Sequence, residues 1–202
     1  TSGSRGWAQY YSDEGAIFLR IGNLSRTSIS LNLDDIQHVL PPLGTEGERT
    51  HVKQNDVLIS ITAYIGSIGV VLDDLGDAYV NQHIALTRPC RDIVDSRWIG
   101  QCLLSRVGQD QFQMLLNGGT KDGLNLDDVG NLRIVVPPLS EQKAIADHLD
   151  QEIAKIDALI SKIGEAIEKL KEYSTALISA AVTGKVDVRG EVASTDELEF
   201  GD

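Results

Sequence analysis

From Glu141 to Val182 the chain runs without a proline, and its apolar residues repeat on a heptad period. Leu149, Ile156, Ile163, Leu170 and Leu177 occupy one heptad position. Ile153, Ile160 and Ile167 occupy the complementary one, with polar Ser174 next in that series. Alternating steps of three and four gather these side chains in a seam at 3.5 residues per turn, and such a seam asks for a partner helix along its length. Gly164 is the one glycine inside the stretch, and it weakens a helix by about 1 kcal/mol. At 1.5 Å per residue the segment predicts a rod of roughly 63 Å. A helix of that length carries or spaces something.

The signals around the rod divide the chain. Pro137-Pro138 cannot extend a strand and resets the backbone. Ser140 is the expected N-cap, with Glu141 favourably placed against the helix dipole, although Lys143 stands where a capping box would want Glu or Gln. Gly184 is the expected stop. Upstream, residues 1–136 read as a mixed or mainly β globular unit. Short β-rich runs at Ile17–Ile21, Val57–Ile61, Ile68–Leu72, Ile84–Thr87 and Leu132–Val136 are separated by Gly, Asn and Asp clusters. One helix is expected from about Ser96 to Leu116, turning Ile99, Leu103, Val107 and Leu115 toward a core. The fold class is therefore α+β: a globular domain over 1–136, a long helix over 137–190 and an acidic, disordered tail over 191–202.

Composition excludes several classes. With 42% hydrophobic and 24% charged residues in 202, the chain builds a core and is not disordered. No run approaches the roughly 18 apolar residues of a membrane span. The two cysteines, Cys90 and Cys102, lack metal-ligand or CxxC spacing, and reduced thiols in a cytoplasmic protein are the plain reading. The net charge of −12 argues against bulk electrostatic capture of nucleic acid, since phosphate neutralisation supplies most non-specific affinity. A locally basic groove remains compatible with it.

Catalytic signatures are missing from the sequence. There is no GxxxxGK[ST] and no GxGxxG, and the glycines of Tyr64-Ile65-Gly66-Ser67-Ile68-Gly69 read as a tight turn rather than a phosphate cradle. His38, His51, His83 and His148 are scattered without metal spacing. The carboxylate pairs Asp34-Asp35, Asp73-Asp74 and Asp127-Asp128 read as turn and cap residues.

Several blocks together carry a resemblance. Gly119-Thr120-Lys121-Asp122-Gly123-Leu124-Asn125 leads through Leu132–Val136 into Pro137-Pro138-Leu139-Ser140-Glu141-Gln142 and the heptads, and the helix ends in Ala181-Val182-Thr183-Gly184-Lys185. Ser2-Gly3-Ser4-Arg5-Gly6-Trp7, Phe18-Leu19-Arg20-Ile21-Gly22-Asn23, Asp56-Val57-Leu58-Ile59-Ser60 and Asn81-Gln82-His83-Ile84 add weaker blocks. Taken together they resemble the specificity subunits of type I restriction–modification systems. The resemblance implies a target recognition domain followed by a conserved helix that packs antiparallel against another as a spacer. It implies a non-catalytic subunit reading one half of a bipartite double-stranded DNA target. Its partners would be modification (methyltransferase) subunits, which hold S-adenosylmethionine and methylate adenine, and in full systems a restriction/translocase subunit. A full subunit of the family has two such domains and two helices. One of each here implies a natural half-subunit that homodimerises, or the C-terminal half of a longer subunit.

For DNA contact the resemblance directs attention to polar and aromatic loop residues. Ser4, Arg5 and Trp7 lie in a Gly/Ser-rich loop where a guanidinium can reach guanine or phosphate, while Trp7 reads equally as a partly buried anchor. Arg20 beside Gly22-Asn23 reads as a groove residue or a strand-face ion pair. Thr62 and Tyr64 stand at a strand end, Tyr64 reading either as a contact to phosphate or base or as packing. Asn81, Gln82 and His83 offer amides suited to adenine, or ordinary turn chemistry. Thr120 and Lys121 suit a phosphate clamp or a plain solvated loop. The rival readings are a coiled-coil scaffold that dimerises an unrelated ligand-binding head, and an enzyme with an unrecognised site in 1–136.

Overall fold

The computed structural model describes residues 1–3, 5–41, 45–117 and 123–186. It divides into two compact units, Thr1–His148 and Leu149–Asp202. Among the described residues the first contains two sheets. Strands β1 (Tyr11–Ser12), β2 (Ala16–Leu19), β3 (Gln37–Val39) and β6 (Ala78–Val80) form one sheet in the order β1-β3-β2-β6, antiparallel except for the parallel pair β2 and β6. Strands β5 (Ile68–Val70), β4 (Val57–Ser60) and β7 (Ile84–Thr87) form an antiparallel second sheet with β4 central.

Alternation along the strands builds the layers. Val57 and Ile59 face one core cluster while Leu58, between them, faces another, as a strand's period of two requires. The first cluster packs against helices α2 (Ser96–Leu104), α3 (Arg106–Asn117) and α4 (Leu126–Gly130) through Leu103, Phe112 and Val129. The second lies between the sheets, joining Leu58, Ile84 and Leu86 to Leu19, Ala78 and Val80. On the far side of the first sheet, Trp7 closes over Phe18, its ring stacked on the phenyl at 5.7 Å between centroids. Tyr79 completes that cluster, and burial, reinforced by Asp77, pushes its hydroxyl pKa up. A short helix, α1 (Thr45–Thr50), precedes β4.

The long helix is α5 (Leu139–Val182), whose 44 residues correspond to about 66 Å. It starts one residue earlier than the expected Ser140 cap. The N–H groups of Glu141 and Gln142 bond to the Pro138 carbonyl, so Ser140 lies inside the first turn. Gly184 ends the helix as expected, at φ 72°, with the N–H groups of Gly184 and Lys185 returning to the carbonyls of Ala181 and Ala180. The first compact unit continues past 136 because Gln142 and Ala146, on the first turns of α5, are buried in it.

Three expectations are corrected. Leu132–Val136 forms no strand: Leu132 and Ile134 pack inward, but the Gln111 side chain bonds the N–H and carbonyl of Arg133, and the Trp98 indole donates to the Val135 carbonyl. The helix over 96–116 is two helices broken at Ser105, whose N–H still bonds Gln101. The break leaves Val107 73% exposed rather than core-facing. The tail over 191–202 lies outside the described residues.

Candidate nucleic-acid interface

Strand direction decides which loops meet. β2 and β6 are parallel, so their following loops leave the same edge, and the Asn81 N–H bonds the Leu19 carbonyl at 3.1 Å. β4 leaves at this edge too, because Ser60 pairs with Ile84, only four residues past Val80. Ser25 and Ile68 exchange backbone hydrogen bonds of 2.7 and 3.0 Å, and the Ile61 N–H donates to His83 at 3.0 Å. Residues 20–26, 61–67 and 81–83 therefore form one cluster of loops. Gly3 joins it: its N–H bonds the Ile84 carbonyl, and a Cβ there would lie 1.9 Å from the Asn81 carbonyl oxygen. Leu124 arrives from the other side, donating to Ile61 at 2.8 Å.

Within the cluster the side chains divide into holders and presenters. Asn23 is buried: its Oδ1 accepts the Arg20 N–H, and its Nδ2 donates to the Asn32 and Asp35 carbonyls. Asn81 is also buried, accepting the His83 N–H. His83 joins Thr62 Oγ1 at 2.9 Å through Nδ1 and the Gln82 amide at 2.8 Å through Nε2. With that amide as donor, the Nδ1 proton points to Thr62. Arg20 pairs with Asp35 at 3.3 Å, an exposed pair worth under about 1 kcal/mol.

Tyr64 is held differently from the rest. It adopts φ 51° although it is not glycine, and the residue is 74% exposed. Its carbonyl accepts the Ser60 hydroxyl at 2.5 Å, the Ser67 hydroxyl at 2.8 Å and the Ser67 N–H at 3.0 Å. The left-handed conformation costs a side-chain-bearing residue roughly 1 kcal/mol or more, which these three donors offset.

The 3-10 turn Ile21–Asn23 separates two recesses. One, of about 440 Å³, is lined by Ile21, Leu24, Arg26, Ala63, Tyr64 and Ser67. The other, of about 340 Å³, is lined by Arg20, Asn23, Asn32, Asp35 and Asn81. Charge is distributed unevenly between the two ends of the sheets. The loop cluster carries Arg20 and Arg26, with exposed Arg5 two residues past Gly3, against Asp34 and Asp35. The turns at the opposite strand ends carry Asp13, Glu14, Asp73, Asp74, Asp77 and Asp92 against Lys53, Arg88 and Arg91. Those turns are net acidic, whereas the clustered loops are not.

The family model for the type I restriction modification DNA specificity domain matches residues 22–169. The chain belongs to this family. The match runs from the loop cluster through the first unit and into the long helix as far as Lys169. The chain is 21% identical over 183 residues to the type I restriction enzyme EcoBI specificity subunit of Escherichia coli, covering 91% of this chain and 38% of that one. It is 23% identical over 187 residues to the EcoKI specificity subunit of Escherichia coli strain K12, covering 88% and 38%. A putative type I specificity subunit, MjaX of Methanocaldococcus jannaschii, is 26% identical over 149 residues, covering 74% and 33%. The chain thus spans well under half the length of these relatives. Among solved structures, a chain from a study of complex assembly and conformational transition of the type I R-M system aligns with TM-score 0.68 at 22% identity, over 90% of this chain and 42% of that chain. The HsdS subunit from Thermoanaerobacter tengcongensis aligns with TM-score 0.55 at 19% identity, over 88% and 46%. These similarities establish the fold.

In this specificity domain, the structure brings together Arg20, Asn23, Thr62, Tyr64, Asn81, Gln82 and His83 at one end of the sheets. Ser4, Thr120 and Lys121 lie outside the described residues, though Gly3 and Gly123, near them in sequence, both border the cluster. Two expected contacts are corrected. Trp7 is 2% exposed and stacked on Phe18, which makes it the anchor of the N-terminal segment rather than a surface group. Asn23 spends its amide on the 20–35 loop and is a holder of Arg20. Arg26 was not anticipated. Its guanidinium borders the larger recess and donates to the Ile65 carbonyl at 2.5 Å, and its place in the polar run Ser25-Arg26-Thr27-Ser28 was the available signal.

The second unit holds the seam. Ile156, Ile160, Ile163, Ile167, Leu170 and Leu177 are exposed along α5, while Leu149 and Ile153 are half-buried. Pairs such as Glu152–Lys155 and Glu168–Lys171, both at 2.7 Å, lie along the same helix. Among the described residues no helix is long and apolar enough to cross a membrane.

Proposed function

We propose that this chain is a non-catalytic reader of one half of a bipartite DNA target, and that it positions adenine methyltransferase subunits on that DNA. The observation that carries the reading is the convergence of loops 20–26, 61–67 and 81–83, with their arginines, amides and one exposed tyrosine, in a chain of the DNA specificity family. Phosphate contacts from arginine would set the register, and amide or aromatic contacts to base edges would carry sequence information. S-adenosylmethionine would be held by the modification subunits, with a restriction/translocase subunit joining in a full system.

The exposed seam supports pairing of α5 with another helix, either a second copy in an antiparallel homodimer or the sister segment of a longer subunit. Two heads on such a pair would stand a fixed distance apart, and a two-fold dimer would read an inverted repeat. Selection from a randomised duplex library, with the modification subunits present, tests the reading. Enrichment of a sequence containing a constant half-site supports it. Recovery of unselected sequence at every salt concentration overturns it.

A further inference from the structure

Tyr64 and the larger recess beside it combine three features that packing alone does not require. The residue occupies a left-handed conformation that glycine would adopt without strain, and Gly66 two residues on does so at φ 82°. The strain is maintained by three hydrogen bonds to one carbonyl, from Ser60 and Ser67, so the backbone that carries the ring is held. And the ring that this arrangement supports faces solvent, not the core. A chain that needed only a turn here would gain stability from glycine.

The surroundings of the ring narrow what it could meet. Ile21, Leu24 and Ala63 give the adjoining recess an apolar wall, and Arg26 supplies a cation at its rim. An apolar surface edged by a guanidinium suits a polyanion that also displays apolar groups. In duplex DNA the group of that kind in the major groove is the 5-methyl of thymine, which distinguishes its base pair by apolar contact. The Gln82 amide and His83 imidazole of the same loop cluster, by contrast, suit polar base edges.

We propose that Tyr64, backed by Ile21, Leu24 and Ala63, is a specificity-determining contact for a thymine methyl group in the half-site. This deepens the DNA-reading function proposed above and rests on it. The strained backbone fixes the direction in which the side chain leaves the turn before DNA arrives, so that little backbone freedom is lost on binding.

The experiment uses the full chain with its modification subunits and the duplex obtained by selection. Each thymine of the half-site is replaced in turn by uracil, which removes only the methyl group. One replacement should weaken binding about fourfold, the value of a methyl group withdrawn from water. Tyr64→Gly should remove that sensitivity, binding thymine and uracil duplexes alike, while its melting temperature stays the same or rises as the strain is relieved. Tyr64→Phe should keep the sensitivity. If no thymine in the half-site is sensitive, or if Tyr64→Gly retains the discrimination, the assignment fails while sequence reading by the chain stands. If the chain shows no sequence preference at all, both fail together. A ring that instead stacks on an extruded base would show equal loss with thymine and uracil, and that result also overturns the assignment.

Discussion

The side-chain oxygen of Gln142 accepts the backbone N–H of Asp95 at 2.9 Å, tying the second turn of the long helix to the start of α2. The amide nitrogen of the same residue donates to the Ile93 carbonyl at 3.1 Å and the Pro137 carbonyl at 2.7 Å. Gln142 is fully buried, and its one side chain bonds three backbone groups. Asp95 in turn caps α2 by accepting the Arg97 N–H, and Arg97 bonds Asp147 at 2.7 Å.

Gln142→Ala should therefore cost the first unit roughly 3 kcal/mol, because three hydrogen bonds worth about 1 kcal/mol each are lost together. Gln142→Glu keeps the acceptor but loses both donations and brings a carboxylate against two carbonyls, and it should destabilise as well. Urea denaturation of the two variants checks this; a midpoint within error of the parent would contradict the role assigned to the amide.

Asp56 is 1% exposed and receives two guanidinium hydrogen bonds from Arg88, both at 2.7 Å, with a third from the Lys53 N–H. The hydrogen bond to Asp56 also pushes the Arg88 pKa up. Arg88→Ala would strand the carboxylate, but Arg88 is half-exposed and the Lys53 N–H remains. The cost should be about 2 kcal/mol rather than the full value of a broken buried pair. Arg88→Lys should recover only part of it, since an ammonium cannot reproduce the two-pronged contact. Thermal melting of both variants measures the difference.

The two thiols should differ in reactivity. Cys90 is exposed, whereas Cys102 is partly buried in α2 and burial pushes its thiol pKa up, so its thiolate is scarce near neutral pH. Iodoacetamide at pH 8 should label Cys90 first, with Cys102 following more slowly in the native protein. Mass spectrometry of tryptic peptides reads the order, and equal labelling of the native protein would contradict the packing of α2.

Ile160 and Ile163 lie at adjacent seam positions and are largely exposed along α5. Replacing both with Asp puts two charges where a partner helix would bury them, and pairing should be lost. Sedimentation velocity should show the parent above monomer mass and the variant at it, with the near-ultraviolet circular dichroism of the first unit unchanged. An identical sedimentation coefficient for the two proteins would remove the seam from assembly.

The parts of the fold that were legible in the sequence share a physical reason. β4 and β7 are runs of large apolar residues buried on both faces, and α5 repeats its pattern over many turns. β3 and β6, by contrast, are three residues each, and β3 contains Gln37 and His38. Their pairing comes from neighbouring strands rather than local preference. The alternation of Leu132–Val136 looked like a strand because its inward residues do pack. The hydrogen bonds come from Gln111 and Trp98, which no local pattern announces. The break at Ser105 was equally hidden: Gly108 packs so tightly on the carbonyls of Cys102 and Leu103 that a Cβ would lie 2.3 Å from the nearer.

For the candidate site, residue type located the loops but not the direction of their side chains. Trp7 and Asn23 carry suitable chemistry, yet one closes over Phe18 and the other is consumed by backbone partners. Tyr64 was legible as a strand-end aromatic, while its positive φ and three-donor clamp follow from Ser60 and Ser67 meeting across the turn.

The most direct measurement is methylome sequencing of a host that expresses this chain with its modification subunits. The account predicts methylated adenine at a new two-part motif in which one half changes when the loops at 20–26, 61–67 and 81–83 are exchanged and the spacing between halves does not. Methylation that is absent, or that keeps the same motif after the loops are exchanged, would contradict it.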